Sequence, residues 1–377
     1  MGIFSVISLL GGLSIFLYGM DIMGDGLKSS SSKALKSMLE KVTHSAVLGM
    51  LTGTLVTSVI QSSTATIVLT VGLLSAGILN LRQSISIVMG ANIGTTVTAQ
   101  IIRLMDINSS GAAFIEIFKP STLAPLAVLC GIIFLKFVKS QKTKGIGMML
   151  MGFGILFTGL MGMTEAVSPL SESQAFTDVL QKFSDVPILG ILTGLITTFI
   201  VQSSSAVIGM VQALSSTGAF TFQTVYPLII GINLGTCITT AIVCSIGTDK
   251  DAKRTGIAHI LFNCIGTVLF MAAIPLLHHA GALNFIWGKP MNSGGIANFT
   301  TIFNLVTAVA LLPFTNQLVK LTTLIVKDSP DDTEDFYPEM RTLDEKLFIS
   351  PALALHQVNI AEASMGRLAR KNFNRSI

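Results

Sequence analysis

The sequence predicts an all-α polytopic membrane protein built from two inverted repeats. Half of the 377 residues are apolar and only 12% are charged, which is too few charges for a soluble chain of this length. Several segments contain the roughly 20 mostly apolar residues that a membrane-crossing helix needs. An internal duplication is the third observation, because a repeat of this size determines the architecture.

The duplication is found at an offset of 141 positions. It aligns "GMLTGTLVTSVIQSSTATI" (49–67) with "GILTGLITTFIVQSSSAVI" (190–208), and "GANIGTTVT" (90–98) with "GINLGTCIT" (231–239). Segments 49–104 and 190–245 share 19 identities in 56 positions without a gap. In membrane proteins, repeats of this kind are typical of transporters whose binding site lies at the repeat interface.

Seven segments are predicted to cross the membrane, at 3–27, 84–105, 121–139, 145–164, 224–246, 255–279 and 296–319. The stretches 46–80 and 187–221 differ, because a Gln-Ser-Ser turn divides each into apolar halves that are too short to cross. Each stretch is therefore predicted to be a re-entrant hairpin that turns inside the membrane, where such backbone must face protein or water.

Topology follows from counting crossings and charges. Three crossings per repeat is an odd number, so the second copy is predicted to be upside down relative to the first. The predicted loops place fourteen Lys and Arg residues on one side and four on the other, which identifies the first side as cytoplasmic. The N-terminus is predicted outside the cell (inner) membrane and the C-terminus in the cytoplasm. The predicted domains are the first repeat (1–144), the second repeat (145–279), a final span with flanks (280–326) and a cytoplasmic tail (327–377).

The two hairpin tips are predicted to form the binding site. The second half-helix of each hairpin begins at about Ser63 or Ser204, so unpaired backbone N–H groups and the positive end of the helix dipole face the tip. Two such tips can bind an anion without any basic residue. The predicted anion ligands are Ser62, Ser63, Thr64, Ser203, Ser204, Ser205, Asn92 and Asn233. The predicted Na⁺ ligands, which supply oxygen atoms, are Gln61, Gln202, Thr95 and Thr236.

The Gly-x-Asn-x-Gly-Thr motifs at 90–95 and 231–236 have poor helix propensity at three positions. Each is predicted to be a local helix break that brings its Asn and Thr beside the tips. The alternative is that these polar residues only pack helices together, and His259 is likewise a packed neutral histidine or a ligand. Duplication of the whole pattern favours binding, since polar groups at mid-membrane depth are costly unless they are used.

The paired QSS motifs, the GxNxGT motif after each and "AHILFN" at 258–263 resemble the type II sodium-dependent phosphate cotransporter family, in a bacterial-type version, over about 1–320. The resemblance implies sodium-coupled symport of inorganic phosphate into the cell, with Na⁺ as co-substrate and no cofactor. Animal members use an acidic residue for an additional sodium ion, and Asp106 is the positional candidate here. The sequence contains no nucleophile–base pair, metal cluster or P-loop that would indicate an enzyme.

The tail differs in composition from the rest. A charged, Pro-containing linker (327–340) precedes an amphipathic helix with Leu355, Val358, Ala361, Met365 and Leu368 at helical spacing. This segment resembles the start of a truncated PhoU-like domain. The predicted partners are phosphate, Na⁺ and the lipid bilayer, not nucleic acid, with a homodimer left open. Symport of sulfate or a carboxylate, a channel and a membrane phosphate sensor remain alternatives.

Overall fold

The computed structural model describes residues 3–40, 45–75, 77–106, 119–245, 250–327 and 351–375, and these ranges are almost entirely helical. The helices are α1 (Ile3–Glu40), α2 (Ala46–Ile60), α3 (Ser63–Ser75), α4 (Leu81–Ile102), α5 (Pro120–Phe137), α6 (Gln141–Val167), α7 (Gln174–Asp185), α8 (Pro187–Val201), α9 (Ser204–Ser215), α10 (Phe222–Ser245), α11 (Lys250–His279), α12 (Ser293–Leu311), α13 (Thr315–Ile325) and α14 (Pro351–Arg375). The all-α prediction is confirmed.

Within the described residues, seven helical segments are long and apolar enough to cross a membrane. They are Ile3–Ser31, Leu81–Asp106, Pro120–Phe137, Gln141–Glu172, Phe222–Ser245, Lys250–His279 and Ser293–Ile325. Each corresponds to one of the seven predicted spans, so the prediction of a polytopic membrane protein is confirmed. By contrast α2, α3 and α9 are apolar but short, as the two divided stretches predict.

The predicted helix breaks at the two Gly-x-Asn-x-Gly-Thr motifs are wrong. Helices α4 and α10 run through the motifs without interruption. The glycines instead permit close helix contact: a Cβ added to Gly90 would lie 1.9 Å from the carbonyl oxygen of Met50, and one on Gly231 would lie 2.0 Å from that of Ile191. Tight packing of a buried helix therefore outweighs its low local propensity.

The same interhelical contacts recur in both halves of the chain. Gly53 of α2 faces the backbone of Ile87, and Gly194 of α8, at the equivalent position, faces that of Leu228. The α2–α4 pair and the α8–α10 pair consequently pack in the same way. The duplication in the sequence is thus also a duplication of helix packing.

Helices α1 and α6 run antiparallel and in close contact. A Cβ on Gly12 would meet the backbone of Gly159, whereas a Cβ on Gly19, further along α1, would meet that of Gly152. Small residues at such an interface let the two backbones approach, which is how helices associate in lipid. Helix α5 packs on α6, outside this pair.

Helices α11 and α12 pack around the motif helices α4 and α10 at the centre of the molecule. Helix α11 packs on α10, α4 and α3, and α12 makes the mirrored set of contacts with α4, α10 and α9. The second helix of each divided stretch also contacts the other half, because α3 packs on α10 and α9 packs on α4. The motif helices α4 and α10 are therefore surrounded by both halves of the chain.

Two peripheral helices complete the description. Helix α7 was not among the predicted elements, although Phe176, Leu180 and Phe183 mark an apolar face at helical spacing. The predicted tail helix is present as α14, but Leu355, Val358 and Met365 of its apolar stripe are exposed. The side chain of Leu368, the predicted linker from residue 328 to 340 and the residues from there to 350 lie outside the described residues.

We expect Gly90→Ala and Gly231→Ala each to destabilise the protein by about 1–3 kcal/mol or more, because a methyl group would overlap a backbone carbonyl oxygen. Thermal unfolding in detergent measures the effect. Gly11→Ala is the matched control, since nothing lies within 4 Å of a Cβ there, and it should be neutral or stabilising. Equal behaviour of the three variants would contradict the packing role of the motif glycines.

Candidate functional site

Two turns inside apolar helical stretches form the centre of the candidate site. Helix α2 ends at Ile60 and α3 begins at Ser63, while α8 ends at Val201 and α9 begins at Ser204. The predicted helix starts are therefore confirmed. We call the turn residues 61–64 the first tip and residues 202–205 the second tip.

Each tip places a glutamine in the left-handed backbone region. Gln61 has φ 60° and ψ 20°, and Gln202 has φ 57° and ψ 19°. Among the described residues, these are the only non-glycine residues with positive φ. Glycine usually occupies this position after a helix, and another residue costs about 1–2 kcal/mol. Retention of glutamine at both strained positions indicates that its side chain has a role.

The first serine of each tip is a helix cap. Ser62 Oγ accepts a hydrogen bond from the backbone N–H of Ala65 (3.2 Å), and Ser203 Oγ accepts one from that of Ala206 (3.3 Å). The first two N–H groups of α3 and of α9 have no acceptor within their own helix. These groups remain available at both tips.

The hydroxyl groups that follow the caps are also available. Ser63, Thr64, Ser204 and Ser205 make no side-chain hydrogen bond to any described residue. Ser63 is nevertheless only 8% exposed and Ser204 only 6%. Their hydroxyl oxygens are not among the fully buried, unpartnered side-chain atoms of the described residues, so a ligand or water can reach them. Each tip thus presents N–H and O–H donors, without positive charge, to a ligand.

The two tips differ in their contacts. Gln61 Oε1 accepts a hydrogen bond from Thr98 Oγ1 (2.7 Å), and Thr57 Oγ1 donates to Thr66 Oγ1 across the first hairpin (2.9 Å). In the second half the side chain of Gln202 is exposed and makes no hydrogen bond to a described residue. Thr198, the equivalent of Thr57, has no partner there, because Val207 replaces the second threonine. In the part of the chain that the structure describes, the first tip is hydrogen-bonded to its motif helix α4 and the second tip is not bonded to α10.

The predicted ligands on the motif helices α4 and α10 form hydrogen bonds with partners other than the tips. The hydroxyl groups of Thr95 and Thr236 donate to carbonyls of their own helices. Asn92 Oδ1 lies 3.1 Å from His259 Nε2. Within the described residues, none of these residues, nor Asn233, hydrogen-bonds to a tip. Thr98 makes that contact, and the sequence-based prediction missed it.

Two matching asparagine pairs occupy the centre of the bundle. Asn263 Nδ2 on α11 lies 3.5 Å from Asn92 Oδ1, and Asn304 Nδ2 on α12 lies 3.3 Å from Asn233 Oδ1. The Oδ1 atoms of Asn263 and Asn304 are buried and have no hydrogen-bond partner among the described residues. The prediction missed this pairing, although the sequence has the signal: "ILFN" at 260–263 is followed by "TIFN" at 301–304.

Asp106, the positional candidate for an additional sodium ligand, lies at the start of a helix, and its role in sodium binding stays a prediction. Its carboxylate accepts hydrogen bonds from the backbone N–H groups of Ser293 (3.2 Å) and Gly294, so it caps the start of α12. Gln212 of α9 donates to the carbonyl oxygens of Ala99 and Ser293 at the same junction. These contacts fasten α4, α9 and α12 together.

A polytopic helical bundle with two helix starts in apolar surroundings and a cluster of uncharged polar side chains belongs to the class of membrane transporters. The sequence model of the family described as Na+/Pi-cotransporter matches residues 15–165 and again residues 163–307. The chain belongs to this family, whose members are transporters and not enzymes. The family match ends at residue 307, and the PhoU-like assignment of the tail stays a prediction.

Individual relatives agree with the family. The uncharacterized protein YqeW of Bacillus subtilis (strain 168) is 29% identical over 312 residues, which are 82% of this chain and 95% of that protein. The putative inorganic phosphate export protein YjbB of Escherichia coli O157:H7 is 24% identical over 93% of this chain, but the chain spans only 61% of its length. The human sodium-dependent phosphate transport protein 2B is 34% identical over 28% of this chain and 16% of its own length. No solved structure matches.

Replacing the tip glutamines with glycine should separate the cost of left-handed backbone strain from the stability contributed by the glutamine side-chain hydrogen bonds. Gln202→Gly removes the left-handed strain without losing a described hydrogen bond, so we expect stabilisation by about 1 kcal/mol. Gln61→Gly relieves the same strain but loses two hydrogen bonds, from Thr98 to Oε1 and from Nε2 to the carbonyl oxygen of Ser58, about 1 kcal/mol each, so we expect net destabilisation. Chemical unfolding in detergent compares the two variants. A Gln202→Gly protein less stable than the unmodified chain would contradict the strain at the second tip.

Proposed function

We propose that the chain is a secondary active transporter that carries inorganic phosphate together with Na⁺ by alternating access. The observation that carries the proposal is the pair of tips, each with unpartnered N–H and O–H donors on largely buried residues and no basic side chain. The family and the names of the relatives support phosphate as the substrate. Residues 62–64 and 203–205 are the proposed phosphate ligands.

The donor set suits a tetrahedral oxyanion. Helix N-termini bind phosphate through free backbone N–H groups and the helix dipole. Serine and threonine hydroxyls add further donors, and they can also accept hydrogen bonds from a protonated phosphate oxygen. Sulfate or a carboxylate would meet the same donors, so phosphate competition against these anions is part of the functional test.

Sodium supplies the positive charge that the tips lack. Carrying a phosphate dianion inward against an inside-negative potential costs about 4.6 kcal/mol per 100 mV, at about 2.3 kcal/mol per charge. Two Na⁺ ions carried with it cancel this cost and neutralise the anion. The proposed sodium ligands are Gln61, Gln202, Thr95 and Thr236, and the unpartnered Oδ1 atoms of Asn263 and Asn304 are added to them, because buried uncharged oxygens suit a hard cation.

An inverted arrangement of the two halves would allow the binding site to open alternately to the two sides of the membrane. The proposed repeats are residues 1–144 and 145–279, followed by the final span within 280–326. The reciprocal contacts of α1 with α6 support the inversion, since Gly12 meets Gly159 and Gly19 meets Gly152, as a two-fold axis in the membrane plane requires. The charge bias of the loops supports an external N-terminus and a cytoplasmic C-terminus in the cell membrane.

The direction of transport is a separate part of the proposal. The inward Na⁺ gradient of a cell favours uptake, whereas the YjbB relatives are named as phosphate export proteins. A symporter runs in either direction as its gradients dictate, so both gradient orientations belong in the measurement. A membrane phosphate sensor is the remaining alternative, and it would show phosphate binding without flux.

Phosphate binding should depend on Na⁺, because the proposed cage has no Lys or Arg. Each ligand is expected to raise the affinity of the other by the same factor, as thermodynamic linkage requires. Phosphate titrations in Na⁺ and in choline, together with ³²P-phosphate flux into proteoliposomes under both gradient orientations, measure the coupling. Equal phosphate affinity in choline and in Na⁺ would refute sodium neutralisation.

Matched changes in the two tips should impair the same step. Ser63→Ala and Ser204→Ala each remove one hydroxyl from a charged ligand, about 1.5–3 kcal/mol, or roughly a 10- to 150-fold loss of phosphate affinity. The KM for phosphate and the detergent thermal stability are measured for both variants. Unchanged KM with lowered stability at both sites would show that these serines only pack the hairpins.

A further inference from the structure

The C-terminal helix α14 contacts the first hairpin near its N-terminal end. Ala354 contacts a cluster of buried residues from α2, α3, α4 and the α3–α4 turn, which we call the hairpin cluster: Val56, Ile60, Leu69, Leu73, Leu79 and Ile87. Gln357 is 1% exposed and Ala361 is 5% exposed. Positions 354, 357 and 361 lie on one side of a helix, so this narrow face is the docked one.

The docked face is small and partly polar, and the larger apolar stripe faces away. Leu355 is 64% exposed and Met365 is 58% exposed. The side-chain amide of Gln357 is buried, and neither its nitrogen nor its oxygen has a hydrogen-bond partner among the described residues. An unpartnered buried amide opposes burial, so the docked state is expected to be readily reversible.

A tether keeps α14 near the hairpin even when it is released. The guanidinium group of Arg254 on α11 donates from Nε (3.1 Å) and Nη2 (2.8 Å) to the carbonyl oxygen of Val326, just after α13. Residues 327–350 can span at most roughly 80 Å from that anchor. Tethering of this kind holds the effective concentration of the helix high, so weak docking is still substantially populated.

We propose that α14 is a reversible brake on transport. The inference rests on the proposed alternating access, in which the first hairpin must change its contacts during each cycle. A helix docked on the hairpin cluster through Ala354 restrains α2 and α3 in one arrangement, and its release lets them move. The small contact area and the unpartnered Gln357 amide both weaken docking, as a reversible contact requires.

Docking itself is measured by cysteine labelling, which does not depend on transport. Cys is placed at Ala361 or at the exposed Ala363 of the full chain, after the native Cys130, Cys237, Cys244 and Cys264 are changed to Ala. Position 361 should react with a soluble maleimide roughly tenfold more slowly than position 363, because a docked site reacts only while open. Equal rates would overturn the docking.

The braking effect is measured with a matched pair of variants. Ala361→Lys places a charge in the docked face and should release α14, whereas Ala363→Lys adds the same charge to the exposed side of the same helix. If α14 is docked in two thirds or more of the molecules, Ala361→Lys should raise the rate of Na⁺-driven ³²P-phosphate flux about threefold or more. Ala363→Lys should leave the rate unchanged.

The outcomes separate the two proposals. Equal flux for Ala361→Lys, Ala363→Lys and the unmodified chain, or slower flux for Ala361→Lys alone, would overturn the brake and leave the transport function standing. Gln357→Leu gives an independent test, since it removes the unpartnered amide and should slow flux by tighter docking. Absence of phosphate flux in all of the chains would overturn the transport function, and the brake with it.

Discussion

The structure depends on the cost of leaving backbone polar groups unpaired in apolar surroundings. A helix that starts inside such surroundings has N–H groups without an intrahelical acceptor, and lipid offers none. Both tips meet this constraint only in part, since Ser62 and Ser203 each cap one N–H group. The remaining donors must face a ligand or water. Neighbouring helices shield most of each helix start, since Ser63 is 8% exposed and Ser204 is 6% exposed.

Close glycine contacts supply that shielding. The hairpin arms α2 and α8 lie against α4 and α10 at distances that only glycine permits at positions 90 and 231. Helices α11 and α12 also pack on the motif helices, and each contributes one asparagine whose oxygen has no hydrogen-bond partner among the described residues. The polar centre is therefore lined by four helices from both halves, and no single segment could form it alone.

Much of this arrangement could be predicted from the sequence, because hydropathy and duplication are strong signals. The seven spans, the helix starts at Ser63 and Ser204 and the all-α class required only segment length and capping chemistry. The continuity of α4 and α10 could not be predicted, since the local propensity of Gly90 and Asn92 favours a break and only tertiary packing reverses it. The approach of Asn304 to Asn233 likewise depends on tertiary packing, although the repeated Phe-Asn dipeptide is visible in the sequence.

The differences between the halves matter as much as their similarity. Under the proposed inverted arrangement, two identical halves would give inward-open and outward-open states of equal energy, and no preferred resting state. The Gln61–Thr98 and Thr57–Thr66 bonds have no described counterpart in the second half, where Val207 leaves Thr198 unpartnered. Two bonds of about 1 kcal/mol each would shift such an equilibrium by roughly tenfold or more. Under that arrangement, departures from symmetry at these positions would favour one of the two states if the bonds form in only one of them.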